Sequence, residues 1–107
     1  HIALLFATLS GISKIGTFSH TNGSSTDVDC GFSSGSKFVL VKRTDSTSDW
    51  YLWDSSRGIV AGNDPYIILN TDTAQNSSYD YIDTLNSGFQ MSSSFTTGSY
   101  IFYAIAT

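Results

Sequence analysis

Residues 38–54 read Phe-Val-Leu-Val-Lys-Arg-Thr-Asp-Ser-Thr-Ser-Asp-Trp-Tyr-Leu-Trp-Asp, and they indicate the class of fold. Two runs rich in β-branched and aromatic residues, Phe38–Arg43 and Trp50–Asp54, suit the pleated, half-buried surface of a sheet. Between them lies Thr44–Ser48, whose residues favour turns. Two strand-like runs joined by a short connection of this kind predict a β-hairpin.

The remainder of the chain repeats this pattern, with short apolar runs separated by Gly, Ser, Thr, Asn and Asp at intervals of about ten residues, the spacing of sandwiches and barrels. The predicted strands are Ile2–Ala7, Lys14–Phe18, Thr26–Cys30, Phe38–Arg43, Trp50–Asp54, Tyr66–Asn70, Tyr79–Ile82, Phe89–Met91 and Tyr100–Ala106. A short helical turn is predicted around Thr71–Ser78. We therefore predict an all-β chain in which residues 1–107 form a single antiparallel β-sandwich, jelly-roll-like in its winding.

The composition excludes several other classes of protein. The chain has 107 residues, of which 40% are hydrophobic and 13% charged, and it contains 31 serines and threonines but no glutamate. Helix-forming residues are scarce, which argues against helical bundles and doubly wound folds. With five basic residues and a net charge of −4, the chain lacks the surplus of Lys and Arg that binding to nucleic acid requires.

The lone Cys30 cannot form an internal disulfide and has no Cys or His neighbours at zinc-ligand spacing. A chain without a disulfide framework favours assembly in a reducing cytoplasm. The apolar run that opens the sequence has no basic residues before it and is far shorter than the roughly 18 residues of a membrane span. We interpret it as a strand and predict no membrane insertion.

The two ends of the chain resemble each other. His1–Thr8 aligns with Tyr100–Thr107, and both runs end in Ala-Thr. One interpretation is that residues 1–8 are the closing strand of a preceding tandem module. The other is that two apolar strands look alike because such strands draw on few residue types. Either way, both runs are continuously apolar and are predicted to lie centrally, covered on both faces.

Catalytic motifs are poorly supported. Gly31–Gly35 matches the G-x-S-x-G pattern with Ser33 at its centre, but a strand follows it, and His1 and His20 both precede the serine. A turn is the simpler interpretation. Nine aspartates without a glutamate do not identify the facing carboxyl pair that a glycosidase needs. We predict no enzyme activity, no catalytic residues and no cofactor.

Oxygen ligands for a metal are present but dispersed. Asp27 and Asp29 would share one face of a strand, yet no loop of the calcium-binding kind accompanies them. Further oxygen ligands are supplied by Asn63, Asp64, Asp72, Asp80 and Asp83. Solvated residues at a sheet edge are the commoner outcome, and no metal site is predicted.

The densest group of chemically distinctive residues lies at positions 42–57. Alternation along a strand puts Trp50 and Asp54 on one face and Tyr51 and Trp53 on the other, so one indole is predicted to fill the core while the other faces outwards. An outward ring would form a stacking platform for a sugar, with the Asp, Arg and Lys side chains of this group forming hydrogen bonds to its hydroxyl groups. The candidate ligand-binding residues are Trp50, Tyr51, Trp53, Asp54 and Arg57. In the alternative, both rings pack, and Arg43 and Arg57 pair with Asp45, Asp49 or Asp54 to stabilise the hairpin.

Short segments spread over nearly the whole chain carry a resemblance to a known family. They are Ile12–Phe18, Val28–Phe32, Phe38–Asp45, Trp50–Asp54, Arg57–Gly58, Tyr66–Thr71, Tyr81–Asp83, Ser87–Phe89 and Gly98–Ala106. In their order they resemble a repeated module of bacteriophage tail-fibre and other tail-appendage proteins, especially those of phages of marine bacteria and cyanobacteria. The approach to the last strand, Ser92–Thr97, departs from that family, which often has a longer loop there.

The resemblance implies a structural protein of the virion, made in the host cytoplasm and placed in a tail fibre or appendage. It implies other virion tail proteins as partners, a homo-oligomer that is trimeric in fibres of this kind, and attachment to a host-surface glycan or protein. It transfers no catalytic residue. Two other functions stay open, namely an architectural spacer or decoration module and a carbohydrate-binding module of an enzyme.

Overall fold

The computed structural model describes residues 8–56, 58–59, 63–69, 75 and 79–107. Within those residues the chain forms eight β-strands and no helix. The strands are β1 (Ser13–His20), β2 (Thr26–Asp29), β3 (Ser36–Arg43), β4 (Trp50–Asp54), β5 (Ile67–Ile68), β6 (Ile82–Leu85), β7 (Gly88–Met91) and β8 (Gly98–Ala106). No helix in this part of the chain is long and apolar enough to cross a membrane.

The strands form two antiparallel sheets. The first sheet has the order β1-β8-β3-β4-β5 and the second the order β2-β7-β6. Because β1 pairs with β8 in one sheet while β2 pairs with β7 in the other, the β1–β2 and β7–β8 connections pass side by side from one sheet to the other, as in a jelly roll. The predicted all-β sandwich is confirmed.

Aromatic side chains from both sheets fill the space between them. Phe102 of β8 meets Phe89 of β7 edge to face, with ring centroids 5.2 Å apart, and Phe18 of β1 stacks on Tyr100 at 5.2 Å. Such pairs add to the gain from removing apolar area from water. The buried core cluster contains Val28, Cys30, Phe32, Val39, Val41, Trp53, Tyr66, Ile82, Phe89, Met91, Phe95, Tyr100, Phe102 and Ala104.

The predicted hairpin is confirmed. β3 and β4 pair antiparallel from Phe38↔Asp54 to Lys42↔Trp50, and β4 has the predicted bounds. The connection is held to the neighbouring strand, since the Thr44 amide donates to the Ser99 carbonyl at 2.8 Å. The hairpin therefore places the tryptophans of β4 at defined positions in the first sheet.

One predicted strand is displaced. Tyr79–Ile82 was expected to be a strand, but β6 begins only at Ile82. The backbone before it is bound in another way, because the Asp80 carbonyl accepts hydrogen bonds from the hydroxyls of Ser92 and Ser94. The rings of Tyr79 and Tyr81 stack on each other at 5.1 Å. Contacts with the segment after β7 therefore replace a strand ladder there.

Other predictions are shortened or lie outside the described residues. Among the described residues of the predicted strand Tyr66–Asn70, only the two residues of β5 form a strand, with a single bridge residue before them, and Asn70 lies outside the described part. Ile2–Ala7 lies outside the described residues, and so does the predicted turn at Thr71–Ser78 except for Gln75.

The last strand is central, as predicted, but its outer face is open. β8 lies between β1 and β3, and Tyr100, Phe102 and Ala104 point into the core. Ile101, on the opposite face, is 37% exposed. The expectation that this strand is covered on both faces is therefore wrong for the described residues, because the second sheet covers only one side of the first.

A tight turn leads into β1. Leu9 and Ser13 exchange backbone hydrogen bonds of 3.0 and 2.9 Å, and Gly11 has the positive φ, 72°, that a type II turn requires. Leu9 and Ser13 therefore form an antiparallel bridge, and the Ile15 amide donates a hydrogen bond to Thr8 Oγ1 at 3.1 Å. Because residues 1–7 lie outside the described part, their assignment to a preceding module stays a prediction.

Candidate functional site

The two tryptophans of β4 have opposite environments, as the alternation of the strand predicts. Trp53 is fully buried, and its ring stacks on Tyr51 at 5.8 Å and contacts Tyr66 at 5.9 Å. Trp50 is 40% exposed on the outer face of the first sheet. Of the three predicted aromatic ligand contacts, Trp50 is therefore the most exposed, whereas Trp53 belongs to the core and Tyr51 is half-buried against it.

Trp50 borders a shallow apolar groove on this outer face, which we call the Trp50 groove. It has a volume of about 90 Å³ and is lined by Ile15, Leu40, Trp50, Ile101, Phe102 and Tyr103. The strand register places the lining residues on one face, since Lys42 pairs with Trp50 in β4 and with Ile101 in β8. Pockets that enclose small molecules have volumes of about 300 Å³ or more, so this groove offers a contact surface rather than an enclosure.

The charged residues predicted to assist Trp50 are arranged differently from the expectation. Asp54 shares its face but lies four residues along β4, opposite Phe38. Lys42 is the charged cross-strand neighbour of Trp50, and its ammonium group donates to the Arg43 carbonyl at 3.1 Å. Arg57 lies outside the described residues. The structure thus places Lys42, the lysine of the predicted group, directly beside the indole.

The alternative ion pairing is confirmed for one arginine. Arg43 Nε donates to Asp45 Oδ1 at 2.6 Å, across the end of the hairpin. This hydrogen bond holds the pKa of Asp45 below its usual value and raises that of Arg43. Because both side chains are solvent-accessible, the pair orients the turn and contributes little to overall stability.

Three aspartates converge beside Tyr79 and Tyr81. The carboxylates of Asp64, Asp80 and Asp83 have oxygens within 4.8 Å of one another, and Asp64 is fully buried. Burial, followed by the charge and hydrogen bond of Asp83, raises the pKa of Asp80. Exposed and half-buried acidic groups often cluster without an ion, and clustered acids lower their repulsion by retaining a proton.

The Asp27 and Asp29 pair does not join this cluster. Gln90 Nε2 donates to Asp27 Oδ1 at 2.6 Å, and the Gly31 amide donates to Asp29 Oδ1 at 2.9 Å. These carboxylates stabilise the β2–β7 pair and the following turn. Asp72 lies outside the described residues.

The region around Ser33 is a turn, as predicted. Gly31 and Gly35 both have positive φ values, 75° and 81°, and β3 follows directly. The nearby thiol is also unsuited to nucleophilic chemistry, because burial raises the pKa of Cys30 to about 11, so it stays protonated at neutral pH. The G-x-S-x-G pattern is accounted for by its turn geometry.

His20 is a buried histidine at the end of β1, and it gives the fold a pH dependence. Its Nδ1 lies 2.7 Å from Thr26 Oγ1, and burial lowers its pKa below 6.5. As the pH falls, His20 therefore binds a proton at a higher pH in the unfolded chain than in the folded one. The stabilisation is complete above about pH 6.5 and is lost as the pH falls from there through the folded pKa.

We expect the urea midpoint of unfolding to fall between pH 7.5 and pH 5. In His20→Gln, which retains hydrogen-bonding capacity but has no titratable group, this fall should be smaller. Urea titrations of both proteins at the two pH values measure the difference. Identical pH dependence in the two proteins would show that His20 is not responsible.

A second concave feature lies at one end of the sandwich, where the turns before β3 and between β6 and β7 meet the ends of β4 and β8. This feature, the end recess, has a volume of about 250 Å³. Its lining residues are Ser34, Gly35, Ser36, Ser55, Ile59, Thr84, Leu85, Asn86, Gly88 and Thr107. No prediction from the sequence anticipated it, because Ser and Thr are so frequent that these positions carry no distinguishing signal.

Comparison with known proteins yields one family. The family described as "Domain of unknown function (DUF7483)" matches residues 1–107. No curated protein and no solved structure matches the chain.

Proposed function

Because the chain belongs to the DUF7483 family, whose description assigns no function, we propose from its residues and surface that it is an attachment module of a bacteriophage tail fibre or related appendage. In this proposal the module contacts a host-surface glycan without covalent chemistry. The virion location, the virion tail proteins as partners and the trimeric assembly come from the resemblance of the sequence segments.

The observation that carries the proposal is the exposure of Trp50 beside an apolar groove. Trp50, which is 40% exposed, lines the groove together with the exposed Ile15 and Ile101, and a contiguous apolar surface of this kind is typical of a binding site. The C–H face of a sugar ring fits such a surface, and Lys42 provides a charged hydrogen-bond donor beside the ring. Aromatic side chains and a few polar groups are the usual elements of a binding site.

The shallowness of the groove determines the kind of binding. A volume of about 90 Å³ holds part of one sugar ring, so a single contact is expected to be weak. Several copies of the module in one fibre would engage a cell surface together, and avidity can then exceed the single-site affinity by factors of about 100 or more. The proposal therefore includes homo-oligomerisation as part of the mechanism.

Trp50→Ala tests the proposal. We expect it to weaken binding to a glycan array about tenfold, which corresponds to about 1.4 kcal/mol, while leaving the unfolding midpoint nearly unchanged. Ile12→Ala is the matched control, because Ile12 is also exposed, at 59%, but lies in the turn before β1 and does not line the groove. Unchanged binding of Trp50→Ala would refute the assignment of the groove.

An architectural module is the second candidate, favoured by the amount of apolar surface on the same sheet. Ile15, Ile101 and Trp50 are exposed positions that line the same groove, and such patches also mark protein–protein interfaces. If the chain binds no glycan and Trp50→Ala instead dissociates an oligomer during sedimentation analysis, the architectural role replaces attachment. A chain that is strictly monomeric at high concentration would count against both the oligomeric attachment module and the architectural module.

A further inference from the structure

The end recess differs from the Trp50 groove in chemistry and position, and no residue lines both. It is built by four separate segments that backbone hydrogen bonds tie together. The Gly35 amide donates to the Asn86 carbonyl at 2.8 Å, and the Thr107 amide donates to the Gly35 carbonyl at 3.0 Å. The Ser55 amide is bound to the Lys37 carbonyl at 2.9 Å. The walls of the recess are therefore positioned by the sheet framework.

Several polar side chains in this recess are not engaged elsewhere. Ser36 Oγ donates to the Gly88 carbonyl at 2.7 Å and so serves the fold. Within the described part of the chain, the side chains of Ser34, Ser55, Thr84 and Asn86 make no hydrogen bond. Three hydroxyls and one amide, all able both to donate and to accept, thus remain available to a ligand in the recess.

The described side chains that line the recess are also uncharged. No Asp, Lys, Arg or His is among the described residues that line it, in a chain whose net charge is −4. Ile59 and Leu85 supply an apolar part of the wall. We propose that the end recess binds one uncharged sugar unit, whose hydroxyls meet the Ser, Thr and Asn side chains and whose C–H groups meet Ile59 and Leu85.

The dimensions agree with a single sugar ring. At about 250 Å³ the recess is nearly three times as large as the Trp50 groove and slightly smaller than the pockets that hold drug-sized ligands. The site goes beyond the proposed attachment function, because sugar binding in the recess does not depend on whether the chain belongs to a virion. If both sites bind sugar, they would contact two places on one glycan or two different glycans.

The test uses the ¹⁵N-labelled full chain and amide chemical shifts. D-glucose, D-galactose, D-mannose and N-acetyl-D-glucosamine are titrated separately to 100 mM. At least one of these sugars should shift the amides of Ser34, Ser55, Thr84 and Asn86 in a saturable way, with a Kd in the millimolar range. D-glucuronate, the anionic comparison, should bind at least fivefold more weakly than that sugar. Equal binding of glucuronate, or no saturable shift at these amides with any of the four neutral sugars, would overturn the proposal.

Two variants separate a ligand site from a general effect on the fold. Thr84→Val removes a hydroxyl and preserves side-chain shape at an exposed position, and Asn86→Ala removes the amide while leaving the carbonyl that binds Gly35. Each should raise the Kd for the sugar at least fivefold. Thr17→Val, an exposed strand threonine outside the recess, should leave it unchanged. Undiminished binding by both recess variants would refute the site.

Trp50→Ala makes the two proposals independently falsifiable. If the recess binds sugar as proposed, the shifts at Thr84 and Asn86 persist in this variant, whatever its effect on the glycan array. Loss of those shifts in Trp50→Ala would show that the sugar binds at the groove and not in the recess.

Discussion

Trp53→Ala is expected to lower the free energy of unfolding by about 3–5 kcal/mol. The indole of Trp53 is fully buried in the core and contacts Tyr51, Tyr66 and Phe95, so its removal leaves a cavity that these rings cannot fill without moving. Since small domains are stable by only about 5–15 kcal/mol, this is a large part of the total. Urea titration followed by circular dichroism measures the loss.

Trp50→Ala is the matched control, because it removes the same side chain from the same strand. We expect it to change the free energy of unfolding by less than about 1 kcal/mol, since Trp50 is half-exposed and packs on one side only. Equal destabilisation by the two variants would contradict the assignment of the inner and outer faces of β4. That result would also contradict the premise that Trp50 is available to a ligand.

Gly88→Ala has the second-largest expected effect. A Cβ atom at Gly88 would overlap the carbonyl oxygen of Val28 and lie 2.9 Å from Cys30 Sγ. Both neighbours belong to β2 or its end, and Asp29 pairs with Gly88 in the sheet, so the new methyl group would push β2 away from β7. We expect a loss of about 3 kcal/mol or more, seen as a fall in the thermal midpoint or as failure to accumulate folded protein.

Gly31→Ala provides the comparison, because its effect has another cause. Gly31 has a φ of 75°, but a Cβ there would meet nothing within 4 Å. Only the left-handed backbone conformation is penalised, by about 1–2 kcal/mol. If Gly88→Ala were no more destabilising than Gly31→Ala, the close approach of β2 to β7 would not be as tight as the structure indicates.

Local residue patterns were sufficient to predict the strands whose pairing depends on nearby residues. β4 has the predicted bounds, and the hairpin formed at Thr44–Ser48, because alternating apolar residues and turn formers act over a few positions. β6 was misplaced, since the segment from Tyr79 to Tyr81 looks like a strand. Its backbone carbonyl at Asp80 is instead bound by hydroxyls that lie 12 and 14 residues further along the chain.

The candidate sites show the same division. Alternation predicted that one tryptophan of β4 faces inwards, and this is a property of any strand. Which one does so depends on the side where the second sheet packs, and in the folded chain Trp53 is the one that contacts Tyr66 and Phe95. The acidic cluster and the end recess likewise combine residues from separate segments.

The amino-acid sequence alone therefore determined the class of fold, most strand positions and the presence of one outward-facing indole, because each follows from residue types a few positions apart. Tertiary structure alone decided that Trp50 is the exposed ring, that Lys42 lies beside it, and that Ser55, Thr84 and Asn86 surround one recess. Those relations join residues far apart in the chain, and they arise only when β1 pairs with β8 and β2 pairs with β7.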